Sequence, residues 1–251
     1  MELALGIHRI VVGEAASPGM YATNTYLLMG SHTSALVDTG WNREEDIRTR
    51  LDYIQQMGTQ SIAAIIITHR HLDHMGGASA IHQATGGPII TAPAEKESIE
   101  SNMKGVKVER VVEDGEILDL GDMTLEFIHA PGHTLGSLGV LIRENKALFT
   151  GDNVMGRGTS VINPGEGDMG LYLDTMEKFL GYAPETIYPG HGPPVSDPEA
   201  KLQGLIGHRK EREQQILDLL KQETHTVEDL LRAIYDELAE RVQNLARNQI
   251  L

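Results

Sequence analysis

Between His69 and His74 the chain sets three imidazoles and a carboxylate within six residues: His69, His71, Asp73 and His74, in "THRHLDH". Neutral imidazole and carboxylate are good zinc ligands, and crowded together without a metal they would have little to hold them. Three more candidates follow singly: His133 in "APGHTLGS", Asp152 in "FTGDN" and His191 in "YPGHGP". In each, glycine adjoins the candidate or lies one residue away, and proline flanks both histidines. Such turns project one side chain and let the backbone approach closely. A tetrahedral zinc takes four ligands, and a catalytic one keeps a position open. Five histidines and two aspartates are too many for one ion. They suit two ions about 3.5–4 Å apart that share a carboxylate. The other histidines, His8, His32, His82, His129, His208 and His225, read as ordinary packing or surface residues; His129 closes the strand "LEFIHA".

The elements that must present these turns are short apolar strands. "IHRIVV", "TYLLM", "SALVD" and "IAAIIIT" are rich in β-branched and apolar residues and bounded by turn residues. Arg43 to Met57 carries Ile47, Leu51, Ile54 and Met57 at helical spacing, with Gly58 as a stop. A short helix is expected over Gly76–Ala84. Strands follow in "VKVERVV", "EILDL", "MTLEFIHA", "LGVLIR" and "KALFTGD", with "RENK" as a hairpin loop between the last two. A helix over Leu171–Leu180 and a strand in "ETIYPG" complete the set. Many strands, interspersed helices and several antiparallel links give an α/β layered sandwich rather than a fully parallel doubly wound sheet.

From Pro198 the pattern turns helical and charged. Ile216, Leu217, Leu219 and Leu220 form an apolar stripe, Thr226 and Asp229 have capping-box spacing, and "AERVQNLARNQIL" begins a third helix. Two units are therefore expected: 1–197, and a C-terminal helical, winged-helix-like segment over 198–251. Arg209, Lys210 and Arg212 alternate with Glu211 and Glu213, which reads as a solvated helix face.

With no cysteine there is no disulfide, and any metal must be held by nitrogen and oxygen. The first residues show no secretory pattern and no apolar run approaches a membrane span of about 20 residues, so no membrane partner and a cytoplasmic location are expected. Residues 201–251 hold 8 Lys and Arg against 9 Asp and Glu, so nearly all of the net charge of −15 falls on the first 200 residues. That body should repel a phosphate backbone at long range.

Taken in order, H-x-H-x-D-H after an apolar strand, then P-G-H, T-G-D and P-G-H-G, resembles the metallo-β-lactamase superfamily, and "ALVDTG" with Asp38 matches its motif near the N-terminus. "TNTYLL", "GDNVMGRGTSVI", "IYPGHGPPVSDPEAK" and "HRKEREQQIL" resemble the β-lactamase-like protein 2 group within it. The resemblance implies an αββα sandwich with the site along one edge. It implies a first metal on His69, His71 and His133, a second on Asp73, His74 and His191, and Asp152 bridging, with Asp38 supporting the His-rich turn from behind. Asp73 and Asp152 are then the carboxylates closest to the chemistry. Asn24, Tyr26, Asn153 and Thr159, beside the motifs, are candidates to touch substrate.

The expected activity is hydrolysis of an ester, thioester, lactone or phosphodiester by a hydroxide bridging two zinc ions, with iron or manganese as other metals for such donors. The substrate is expected to be a small acyl compound or single-stranded RNA. The alternatives are a single-strand endoribonuclease, a mono-iron persulfide dioxygenase, and a nucleic-acid-binding protein whose metal site is structural.

Overall fold

A computed structural model describes residues 1–11, 21–59, 61–103, 105, 107–222, 226–235 and 246–247. The chain begins with β1 (Glu2–Ala4), β2 (Ile7–Val11), β3 (Asn24–Met29) and β4 (Ser34–Val37). Then come α1 (Glu44–Gln56), β5 (Ile62–Ile66), α2 (Leu72–Met75), α3 (Ala78–Thr85), β6 (Ile89–Thr91), α4 (Pro93–Asn102) and β7 (Arg110–Val111). These strands form one sheet in chain order, antiparallel from β1 to β4 and parallel from β4 to β7.

The second sheet comprises β8 (Ile117–Asp119), β9 (Thr124–His129), β10 (Leu138–Ile142), β11 (Ala147–Gly151) and β12 (Thr186–Pro189), with α5 (Met169–Tyr182) before β12. Its order is β12-β11-β10-β9-β8, and only the β11–β12 pair is parallel. The "RENK" turn does join β10 to β11 as a hairpin. The helices α6 (Pro198–Gln222) and α7 (Val227–Tyr235) follow.

Adjacent strand residues point to opposite faces, and here they enter different cores. Leu28, Val37 and Ile66 meet Phe127, Val140 and Phe149 between the sheets. Their neighbours Leu27, Leu36 and Ile65 face outward onto Ile54 of α1, Ile81 of α3 and Ile99 of α4. On the second sheet Ile128, Leu141 and Leu148 face Tyr172, Met176 and Phe179 of α5 and Leu202 and Leu205 of α6. Strands buried on both faces read as continuous apolar runs, and two sheets each covered by helices make the αββα sandwich. Each fully buried Leu, Ile or Phe contributes about 1.5–3 kcal/mol.

Two elements escape the sequence pattern. The strand β6 is three residues long, too short to show a period, and α4 buries only Glu95 and Ile99. Conversely, among the described residues of "VKVERVV" the strand pairing is confined to Arg110–Val111.

The helix α6 packs its first half into the outer core of the second sheet, so the break at 197/198 in the chain pattern is not a break in packing. Within this half Arg209 is 6% exposed, with its guanidinium 5.5 Å from the Tyr172 ring centre, which corrects the expectation of a solvated face for that residue alone; Lys210, Glu211 and Glu213 are exposed. Thr226 and Asp229 cap each other reciprocally, the Thr226 amide donating to Asp229 and the Asp229 amide to Thr226 Oγ1. The expected third helix lies mostly outside the described residues, as does the part of the chain on which a wing would depend. Among the described residues no helix is long and apolar enough to cross a membrane.

Candidate metal centre

Each candidate ligand follows the C-terminal end of a strand, and the sandwich brings these ends to one edge. Asp38 follows β4, His69 follows β5, His133 follows β9, Asp152 follows β11 and His191 follows β12. The edge is sewn together by main-chain bonds. The Asn24 amide donates to Gly190 O at 2.7 Å and the Gly156 amide to His191 O at 2.9 Å. Gly190 has no room for a side chain: a Cβ there would run into Asp152 Oδ1 and stand 2.7 Å from His74 Cε1.

The seven candidates assemble into three overlapping groups: His69, His71 and His133; His69, His74 and Asp152; and Asp73, His74 and His191. In the first, His71 Nδ1 lies 3.1 Å from His69 Nε2 and 3.0 Å from His133 Nε2. In the last, His74 Nε2 lies 3.2 Å from His191 Nε2, and Asp73 Oδ2 lies 3.1 Å from His191 Nε2. Asp152 stands between the groups, with Oδ1 at 3.3 Å from His74 Nε2 and Oδ2 at 3.4 Å from His191 Nε2 and 3.9 Å from His133 Nε2.

The groups behind the imidazoles fix which nitrogen carries the proton. His74 Nδ1 donates to Asp38 Oδ2 at 2.7 Å, His133 Nδ1 to Val161 O at 2.8 Å and His191 Nδ1 to Tyr21 O at 2.8 Å. Thr68 Oγ1 spends its one proton on Asp38 Oδ2 at 2.9 Å, so at 3.0 Å it accepts from His69 Nδ1. In the neutral form every one of these Nε2 atoms therefore points a lone pair inward. The Nε2 atoms of His74 and His191, 3.2 Å apart beside the carboxylates of Asp73 and Asp152, repel one another when both carry lone pairs, unless a proton or a metal cation lies between them. Asp152 Oδ1, buried with no hydrogen-bond partner, adds to this demand. The donor set fits divalent metal at two adjoining positions.

The same crowding moves the titrations. Burial works against charge on His74, but the carboxylates of Asp152, Asp38 and Asp73 lift it well above the usual imidazole range. Burial likewise opposes His191, which Asp152 and Asp73 raise to about 9. Burial, with His74 and His133 nearby, holds His69 well below that range. Desolvation opposes the charge on Asp152, yet His74 and His191 keep it well below the carboxylate range.

Asp38 itself adopts φ of 60°, a left-handed conformation that costs a non-glycine residue about 1–3 kcal/mol. The Thr68 amide and hydroxyl both donate to its carboxylate, which ties the end of β4 to the start of the His-rich turn.

Above the cluster lies a cavity of about 630 Å³, lined by His71, Asp73, His133, Asp152 and His191 and by Trp41, Met155, Arg157, Thr159 and Val161, among others. Thr159 thus faces it. Asn24, Tyr26 and Asn153 do not line it; Asn24 lines a smaller adjoining cavity, and polar atoms of all three are spent on the backbone. Asn24 Nδ2 donates to Pro189 O and Gly192 O, both at 2.8 Å, and the Tyr26 hydroxyl donates to Pro189 O at 2.8 Å. Asn153 Nδ2 donates to Ala130 O at 2.6 Å, and its Oδ1 accepts the His133 amide at 3.0 Å. They are buried braces of the ligand turns.

Sequence reasoning missed three further braces. Thr23 Oγ1 donates to Asp73 Oδ2 at 3.0 Å. Glu95, on α4, binds the turns that carry His71 and His133. Arg209 Nη2 donates to Ser160 O at 2.5 Å beside the carbonyl that orients His133. Pro93 at the first helical position, with Glu95 two residues on, was the available signal for α4.

With this fold and site in view, comparison with known proteins assigns the class. A family model described as the metallo-beta-lactamase superfamily matches residues 18–191, and the chain belongs to that superfamily. It is 31% identical over 242 residues to the beta-lactamase-like protein 2 homolog of Caenorhabditis elegans, covering 93% of this chain and 79% of that protein. It is 26% identical over 249 residues to the atrochrysone carboxyl ACP thioesterase of Aspergillus chevalieri, covering 95% and 76% respectively. The crystal structure of a beta-lactamase domain protein from Burkholderia ambifaria has the same fold, with a TM-score of 0.83 at 16% identity over 100% of this chain and 85% of that one.

Proposed function

We propose that the chain is a hydrolase of an acyl bond, foremost a thioester, working with two zinc ions. His69, His71 and His133 would hold one and Asp73, His74 and His191 the other, with Asp152 within reach of both groups. The observation that carries this reading is the inward convergence of four imidazole Nε2 atoms and His71 Nδ1 around Asp152, whose buried Oδ1 has no hydrogen-bond partner. Two divalent cations bound there supply Lewis acidity, which makes water a nucleophile near neutral pH and polarises the acyl oxygen.

The chain's own residues do the rest. Asp38, Thr68, Val161 and Tyr21 each take the Nδ1 proton of an imidazole, so Nε2 is the atom each ring offers, and His74 and His191, which the carboxylates hold protonated, would each give up a proton on binding. Thr23 anchors Asp73 Oδ2. Trp41, Met155 and Val161 give the cavity apolar walls that receive an acyl chain and exclude bulk water, and a volume of about 630 Å³ suits a small molecule. The thioesterase name of the Aspergillus chevalieri relative supports the choice of bond.

Elemental analysis of the purified protein, followed by a panel of thioester, lactone, cephalosporin and single-stranded RNA substrates, tests the proposal. Two equivalents of zinc and turnover of the thioester are expected. One equivalent of iron, or cleavage of RNA alone, would overturn it.

A further inference from the structure

The cavity above the cluster has a neighbour. A second cavity of about 280 Å³ is lined by Arg9, Val11, Tyr21, Ala22, Asn24, Arg157, Gly192 and Pro193, and it shares Tyr21 and Arg157 with the first. The two spaces adjoin on the His191 side of the site, where Tyr21 and Arg157 line both. Thr23 pairs with His191 and the Gly156 amide donates to His191 O, so the segments beside these two residues are tied to that ligand turn. On β2, Val11 pairs with Asn24 and Arg9 with Tyr26, two residues farther along the same face.

The protein carries a net −15, yet among the described residues the charged ones lining the second cavity are Arg9 and Arg157. Among the described residues neither guanidinium has a carboxylate partner or a hydrogen-bond acceptor, whereas Arg70, Arg110, Arg143 and Arg247 all do. Arg9 is half-buried on a sheet strand and Arg157 is exposed in the loop, so one fork is fixed and one can adjust.

Arginine's planar fork matches oxyanions bidentately. A carboxylate is satisfied by one such fork, whereas a phosphate has oxygens for two. Resting on the thioester reading above, we propose that Arg9 and Arg157 form a phosphate-binding subsite. The substrate is then a thioester whose thiol arm carries a phosphate, with the acyl part among Trp41, Met155 and Val161 and the arm leading past Tyr21. The phosphate can belong to a free phosphorylated thiol or to an arm attached to a carrier protein; the chemistry recognised is the same.

Binding and turnover are tested separately on the zinc-loaded full chain. Calorimetry would compare non-hydrolysable S-alkyl thioethers of pantetheine and 4′-phosphopantetheine, which differ only in the phosphate. The wild type is expected to bind the phosphorylated probe about tenfold more tightly, the scale of a charge-assisted contact. That preference should shrink with added salt and fall to near unity in R9Q/R157Q. Equal affinity for the two probes in the wild type, or an undiminished preference in the double variant, would overturn the subsite.

Steady-state kinetics with the corresponding acyl thioesters should show the preference in KM. A third arm, the same acyl group on a carrier protein's phosphopantetheine, tells the two sources apart: a lower KM there assigns the carrier, and an equal or higher one the free thiol. If no thioester turns over while a lactone does, the choice of bond fails; the calorimetric arm still decides the subsite.

Discussion

Glu95 and Arg70 are joined by three bonds to one carboxylate: Glu95 Oε2 accepts the Arg70 amide at 2.9 Å and its Nε at 2.7 Å, and Oε1 accepts Nη2 at 3.0 Å. The same Oε1 also takes the Thr134 hydroxyl at 2.9 Å and the Gly136 amide at 3.0 Å. Glu95 is fully buried. Since Arg70 lies between His69 and His71, and Thr134 follows His133, one side chain holds together the turns that carry one whole ligand group. Replacing Glu95 by Ala should destabilise the chain by about 3 kcal/mol, as when one partner of a buried ion pair is lost. It should also weaken one of two zinc-binding steps about 10–100-fold. Denaturant titration and competition with a chelating dye would check the two effects.

Asp38→Asn isolates charge from backbone shape. Asparagine tolerates the left-handed conformation at φ of 60°, so the strand end should keep its course. What changes is the acceptor behind His74 Nδ1. Affinity for one metal is expected to fall about 10–100-fold, with a loss of about 1–3 kcal/mol in stability because the amide nitrogen would face a buried donor. A metal titration indistinguishable from wild type would show that Asp38 does not govern the ligand.

Asp152→Ala should lower zinc content and activity together, because its two oxygens face both groups of imidazoles. Full activity in that variant would refute the bridging role. The measurement is zinc per chain alongside turnover.

Gly190→Ala tests the closeness of the ligand turns. The added Cβ would collide with Asp152 Oδ1 and crowd His74. Loss of at least one zinc from a chain that still melts cooperatively is expected, read by elemental analysis and circular dichroism.

Truncation tests the expected division at 197/198. Ending the chain at residue 197 removes Leu202 and Leu205 from the core beside Tyr172 and Phe179, and Arg209 from Ser160. At about 1.5–3 kcal/mol per leucine the loss approaches the stability of a typical domain. Cooperative thermal unfolding should be lost, whereas a chain ending at residue 222 should keep it.

The amino-acid sequence by itself determined the candidate ligand turns, the strands behind them and the layered class. Metal-binding side chains between glycine and proline stand out one residue at a time, and apolar runs mark strands buried on both faces. Glu95, Thr23 and Arg209 left no such mark, because their roles rest on partners at Arg70, Asp73 and Ser160, brought close by the sandwich rather than by the chain. Asn24, Tyr26 and Asn153 lie beside motifs in the chain, yet tertiary packing turned their polar atoms to the backbone, away from the cavity. Proximity along the chain names the groups that do chemistry, whereas the fold, through hydrogen bonds between distant segments, decides which way each of them faces.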